Sequence, residues 1–450
     1  MFLADNETAI AAGDTPSGPP AAAHDLHEAT LGNGLRVVYE SMPWLPSLSA
    51  ALVMPFGSAT DPEGAEGATN VLHEWMQRGA GDLDSRALSD AMEDLGMRRG
   101  GGAGRESSSL SASFLIAELE AAMPLFASVA KAPRFDDAEF ESARELALQE
   151  LESLEDAPNQ KLMTELLARY LESPQRRSAY GSAAGLASLT PDLVREEAAR
   201  CVGPEGAVLA LAGGGDWTAV KAVVERAFAD WTGSSLPTPP VVVAAPQKDH
   251  VDAVSAQVQI GLAFTGPEPG TEEAYIYAVG LGVLSGSSGA RLFTEVREKR
   301  GLVYSVSAFN RNLKGYAYTV GYAGTTPDRA EETLEVFMAE LKRLDKGVSA
   351  EEIARAKSGL LSSLVMQGES SSGTAGRLAA DLFNLGRART LDEIRAKVEA
   401  VTLEQLNDYL ASHPVPDPTI VTLGPSIPLR AATPSAAADQ SEATAAGGTA

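Results

Sequence analysis

Along this chain, short apolar runs with a two-residue period alternate with longer stretches whose apolar residues recur every three or four positions, the marks of strands and amphipathic helices. In the first half the pattern predicts strands at 35–39, 48–54, 110–116 and 207–211, and helices at 83–95, 119–130, 138–154, 161–171 and 191–201. The second half repeats the rhythm, with strands at 256–264, 303–309 and 315–321 and helices at 274–284, 327–344, 350–366 and 403–410. Long helices grouped after a few strands predict α+β domains, here two in tandem, each a mixed sheet covered by helices.

A proline-rich break at 236–248 separates the two rhythms, because proline fixes the backbone and removes hydrogen-bond donors. The expected plan is therefore a domain at 27–235, a linker at 236–248 and a second domain at 249–428. Residues 1–26 and 429–450 are rich in Ala, Gly, Pro, Ser and Thr and are expected to form flexible ends.

Composition narrows the function classes. A net charge of −25 and a pI near 4.6 argue against nucleic acid, whose phosphates need a basic footprint. No apolar run reaches membrane-spanning length, and the first residues lack a secretory pattern, so no membrane partner and a cytoplasmic location are expected, or a periplasmic one if a leader was trimmed. The single cysteine, Cys201, cannot form an internal disulfide and is expected to be a buried apolar residue. Eleven acids fall between residues 118 and 156 against Lys131, Arg134 and Arg144. They read as a solvated helix face, or as a field that draws cationic peptides.

Four segments carry more specific information. The first is Leu31-Gly32-Asn33-Gly34-Leu35-Arg36-Val37-Val38, a turn entering an apolar strand. The second, Gly67-Ala68-Thr69-Asn70-Val71-Leu72-His73-Glu74-Trp75-Met76, reads N-x-x-H-E. The third runs from Arg144 through Glu150 to Glu155-Asp156-Ala157-Pro158. The fourth is the long stretch from Leu284 to Val306, which contains Arg297 and Tyr304. Together they resemble the pitrilysin/insulinase family of metallopeptidases over about residues 28–425.

The resemblance implies a duplicated α+β chain forming half of a clamshell chamber. It also implies that the second segment stands where H-x-x-E-H would hold zinc, two histidines binding the metal and the glutamate activating water. Here Asn70 and Glu74 occupy the ligand positions, His73 the base position and Glu150 the third-ligand position. Three oxygen donors suit magnesium or calcium weakly and zinc badly, so the segment is expected to be a metal-free relic and the chain to carry no cofactor of its own. Arg297 and Tyr304 match the family's arginine/tyrosine pair, which by resemblance grips a substrate carbonyl and donates to the oxyanion. What this implies is a non-catalytic, substrate-binding and oxyanion-stabilising subunit, paired as a heterodimer with a zinc-bearing H-x-x-E-H paralogue that acts on peptides. The rival is an inactive scaffold, like the core subunits of a respiratory complex, which the fold also resembles.

Lesser signals complete the reading. The run Gly100-Gly101-Gly102-Ala103-Gly104 is not a phosphate loop, since no G-K-[ST] follows it. It reads as a permissive turn before an edge strand at 109–115, which in active relatives pairs with the peptide by strand addition. The segment 286–289 reads as the turn before the helix that presents Arg297. His24 and His27 are expected to be incidental, and His250 and His413 to lack partners.

Overall fold

The computed structural model describes residues 25–426. From the start to the linker the elements are β1 (Asp25–Thr30), β2 (Arg36–Ser41), β3 (Ser47–Met54), α1 (Ala68–Met76), β4 (Gly79–Ala80), β5 (Leu83–Asp84), α2 (Ser85–Asp94) and β6 (Arg98–Ala103). There follow β7 (Ser108–Leu115), α3 (Leu119–Lys131), α4 (Asp137–Ser153), α5 (Pro158–Tyr170), α6 (Ala183–Ser188), α7 (Pro191–Cys201), β8 (Val208–Gly213) and α8 (Trp217–Phe228). Beyond the linker come β9 (Lys248–Asp252), β10 (Val258–Thr265), α9 (Glu272–Ser285), β11 (Val303–Leu313), β12 (Tyr316–Thr325) and α10 (Ala330–Arg343). The last are α11 (Ala350–Gly368), α12 (Ser371–Leu385), α13 (Leu391–Ala400), α14 (Leu403–Ser412) and β13 (Thr419–Gly424).

Two compact units result, each a mixed sheet with helices, as the α+β expectation required. They do not follow the linear halves. Of the described residues the first unit takes 25–149, 177–240 and 361–399, and the second takes 150–176, 241–360 and 400–426. In the first unit the strand order is β1-β2-β8-β3-β7-β6, with β2 and β8 parallel and the other neighbours antiparallel. Its sheet is capped by α12, which comes from the far half of the sequence. Ala375, Leu378, Ala379 and Leu382 of α12 bury against Val38, Ala51, Val208 and Ala210. An ion pair fixes the docking, Arg377 meeting the fully buried Glu40 at 2.9 Å. In the second unit the order is β11-β12-β10-β13-β9, with β13 and β9 parallel. There α5, from the near half, lays Leu162, Leu166 and Tyr170 on Ala263, Val421 and Leu423.

Residues 25 and 26, expected in a flexible head, open strand β1, which pairs with β2 and has Leu26, His27 and Ala29 half-buried. His24 lies outside the described residues, as does the whole of the expected tail, 429–450. The glycine run is a strand, not a turn. It forms β6, the outermost strand of the first sheet, while Ser108–Leu115, expected at the edge, is interior between β3 and β6. Among the described residues no helix is long and apolar enough to cross a membrane.

Candidate functional site

Helix α1 forms as its apolar spacing requires, burying Val71, Leu72, Trp75 and Met76 completely. It starts at Gly67, whose φ of 109° is a left-handed value and whose Cα is so close to Leu186 that an added Cβ would lie 2.6 Å from its Cδ2. No side chain at position 67 caps the helix. Instead the buried Asp61 accepts from the backbone amides of Gly67 at 2.7 Å and Thr69 at 2.8 Å, answering the orphan donors of the first turn.

The would-be metal positions are occupied by protein chemistry of another kind. Glu74 is bound by the Arg78 guanidinium, Nη2 at 2.9 Å and Nε at 3.1 Å, and Arg78 reaches Glu139 of α4 with Nη1 at 3.3 Å. An organic cation thus sits between two carboxylates, where the resemblance would place a metal ion near one of them. His73 points inward, 5% exposed; its Nε2 lies 3.2 Å from the Gln77 amide nitrogen and its Nδ1 has no partner. Burial pushes its imidazole down to about 4, so it is neutral at ordinary pH. Asn70 is half-buried on the same helix, and Glu150 is exposed and falls in the second unit. Among the described residues no group of three or more His, Cys, Asp or Glu side chains could hold a metal. The donors present do not fit zinc: no imidazole or thiolate is offered, and Glu74 is already neutralised by Arg78.

In the second unit the structure brings Arg297 and Tyr304 together. After the 286–289 turn the chain enters a π-helical turn, Phe293–Glu298, that carries Arg297. Tyr304 is the extra residue of a β-bulge in β11, since Val303 opposes Thr325 and Ser305 opposes Gly324. The bulge turns its ring outward, and Tyr304 is 78% exposed. The Arg297 guanidinium stacks between two rings, 4.9 Å from the Phe293 centroid and 5.2 Å from that of Tyr304. Its neighbours behave differently: Lys299 and Arg300 bind Glu295 at 2.7 and 2.9 Å, hydrogen bonds that hold that carboxyl below its ordinary range. Arg297 has no carboxylate partner among the described residues, and neither does the Tyr304 hydroxyl have a hydrogen bond. A fork of N–H donors and a phenol, oriented by stacking and left unsatisfied, can take a carbonyl or an anion.

Sequence reasoning missed Arg78, Glu139, Asp61 and Phe293. The first and last were legible as pairs four apart on a helical turn, Glu74/Arg78 and Phe293/Arg297; Glu139 and Asp61 depend on tertiary placement. His250 and His413, expected without partners, have them: His250 Nδ1 meets Thr422 Oγ1 at 2.8 Å, and His413 stacks on Tyr409 with centroids 4.4 Å apart. Cys201 is fully buried, as its helix pattern implied, and burial pushes its thiol up to about 12.

Comparison with known proteins bears on the family and the fold. A family model described as Insulinase (Peptidase family M16) matches residues 36–180, and one described as Peptidase M16 inactive domain matches residues 188–360. An α+β peptidase-type fold duplicated along one chain is the class defined. The chain belongs to the insulinase, or M16, family of peptidases. An uncharacterized zinc protease of Mycobacterium tuberculosis is 29% identical over 401 residues, covering 86% of this chain and 90% of the relative. The uncharacterized zinc protease YmxG of Bacillus subtilis is 25% identical over 407 residues, covering 88% and 98%. The crystal structure of a peptidase M16 inactive domain from Pseudomonas fluorescens superimposes with a TM-score of 0.82 at 23% identity, covering 90% of this chain and 98% of that one. At that identity the likeness speaks for the fold alone.

Proposed function

We propose that this chain is the non-catalytic, substrate-handling subunit of a heterodimeric zinc peptidase whose other chain carries H-x-x-E-H. The observation that carries the reading is the contrast between its two sites. The helix that would hold zinc has its ligand-position carboxylate neutralised by Arg78, whereas the Arg297/Tyr304 pair stands exposed on two irregular elements. A π-helical turn carries one and a β-bulge the other, irregularities often found where a side chain is aimed for a task. In this reading Arg297 holds a peptide carbonyl and Tyr304 donates to the oxyanion formed in the partner's reaction, while the partner's own edge strand pairs with that peptide; the open edge of β6, in the other unit, is a separate surface able to receive an extended peptide by strand addition.

The test is the pair reconstituted with an H-x-x-E-H paralogue from the same genome, with turnover measured for wild type and Tyr304→Phe. That substitution removes one hydroxyl from an exposed ring, so the pair is expected to assemble with an unchanged melting temperature and lose roughly 10²–10³ in kcat. Full activity with Tyr304→Phe rejects the catalytic contribution and leaves the scaffold as the better account.

A further inference from the structure

Strand β6, Arg98-Arg99-Gly100-Gly101-Gly102-Ala103, is the free edge of the first unit's sheet, with its first five residues exposed. Its register on β7 sets Arg98, Gly100 and Gly102 on the face of Ser113, Ser111 and Ser109, and Arg99 and Gly101 on the other. At Gly101 only glycine fits: φ is 140°, and an added Cβ would lie 2.0 Å from the Ser109 carbonyl oxygen. At Gly102 nothing lies within 4 Å of an added Cβ. A strand laid along this edge therefore meets bare backbone at its centre, where bulky side chains can fold over the glycines.

One end of the edge is charged. Arg98 and Arg99 have no carboxylate partner among the described residues; Arg99 reaches only Ser89 Oγ, at 3.3 Å. Other arginines of this unit are ion-paired: Arg78 with Glu74, Arg134 with Asp136, Arg195 with Asp137, Arg200 with Glu197. An edge guarded against pairing carries charge, bulges or proline along its length; here two arginines stand at one end and the other four residues carry no charge. The chain's −25 opposes an anionic ligand at long range. At physiological salt, though, the screening length is about 8 Å, so the field at this end is set by the two guanidiniums and by the acids of α2, Glu93, Asp94 and the Arg86-paired Asp90, and not by the chain's total.

We infer that β6 selects extended peptides bearing an acidic side chain opposite Arg98 or Arg99 and bulky apolar side chains opposite Gly100 to Gly102. This rests on the strand-addition reading given above, and the experiment separates the two.

Fluorescent peptides of about ten residues, each with an Ile/Phe-rich centre and either a Glu pair or a Lys pair at one end, are titrated against the full chain by anisotropy in 0.15 M and 1 M salt. The Glu peptide is expected to bind about tenfold more tightly at low salt, with the preference shrinking at high salt. Arg98→Gln with Arg99→Gln is expected to bring the two affinities within about twofold of each other. Gly102→Val, placed where a side chain has room, is expected to weaken the bulky-centred peptide about tenfold and leave an alanine-centred one unchanged. Equal affinities for the Glu and Lys peptides, or a Lys preference, overturn the charge inference and leave strand addition standing. Binding unaffected by Gly102→Val removes β6 as the site, and absence of binding by every peptide overturns both readings.

Discussion

Helix α1 and its capping carboxylate hold two buried ionisable groups whose titrations pull in opposite directions. His73 is pushed down to about 4 by burial, from an ordinary value near 6.5. Below pH 6.5 the unfolded chain takes up a proton that the folded chain refuses, so this contribution to stability is complete above pH 6.5 and lost as pH falls to about 4. The shift corresponds to about 3 kcal/mol. Asp61 is pushed up to about 6 by burial, against the amides of Gly67 and Thr69 and the charge of Arg177, which favour its ionised form. Its sign is reversed: the folded chain holds the proton more tightly, and stability falls by about 3 kcal/mol as pH rises from about 4 to about 6. Urea unfolding between pH 4 and 7 separates the two. Wild type minus His73→Leu should grow by about 3 kcal/mol from pH 4 to pH 7, and wild type minus Asp61→Asn should shrink by a similar amount. Difference profiles that run flat would mean that neither group is desolvated. At the other site, Phe293→Ala removes one of the two rings that orient Arg297 and leaves the Tyr304 hydroxyl in place. In the reconstituted pair KM is expected to rise about threefold with kcat little changed, since the stacking is worth about 0.5–1 kcal/mol.

At the scale of elements, α12 has the most demanding contact in the first unit. Arg377 is 7% exposed and its partner Glu40 is fully buried, with Asp381 and Arg389 completing the cluster. Arg377→Met strips a buried carboxylate of its cation and is expected to cost about 3–5 kcal/mol, while Arg377→Met combined with Glu40→Leu should recover much of that loss. Denaturant midpoints for the two variants check it; equal destabilisation would mean that packing of α12, not the ion pair, governs the site. This element was also the hardest to read from the sequence. It opens with Ser371-Ser372-Gly373 and includes Gly376, so local propensity disguises it. Strand β6 was hidden for a related reason, because three consecutive glycines have poor strand propensity and acquire their conformation only from pairing with β7. Strongly periodic elements were legible almost to the residue, α7 at Pro191–Cys201 among them. Asn70, His73, Glu74, Glu150, Arg297 and Tyr304 were placed by matching motifs. Of their neighbours, Arg78 and Phe293 stand four residues from Glu74 and Arg297 on helical turns and were within reach of a spacing argument, whereas the Arg78–Glu139 contact spans 61 residues and no local pattern encodes it.

For the whole molecule the proposal predicts a stoichiometry. Alone, the chain should contain far less than one zinc per molecule. Mixed with the H-x-x-E-H paralogue it should elute as a one-to-one pair with one zinc per pair, because the metal belongs to the partner. A lasting interface between two such chains is expected to bury roughly 2,000 Å² or more. Light scattering on the eluted peak, with elemental analysis of the same fractions, checks both numbers. One tightly held zinc in the isolated chain would refute the reading of α1, and failure to pair with every such paralogue would refute the subunit.

The exchange of α5 and α12 between the two sheets sets a timetable for synthesis. When the ribosome has made residues up to the linker, the apolar face of Val38, Ala51, Val208 and Ala210 has no cover, because α12 ends at Leu385. Meanwhile α5 has emerged with Leu162 and Leu166 but without the β10 and β13 surface they bury against. Neither unit can close until most of the chain has left the exit tunnel, so the nascent protein must carry two sticky surfaces through a long interval, a natural client for a holding chaperone. A gene cut at the linker should accordingly give two fragments that aggregate when made separately and become soluble when co-expressed, each supplying the helix that the other lacks.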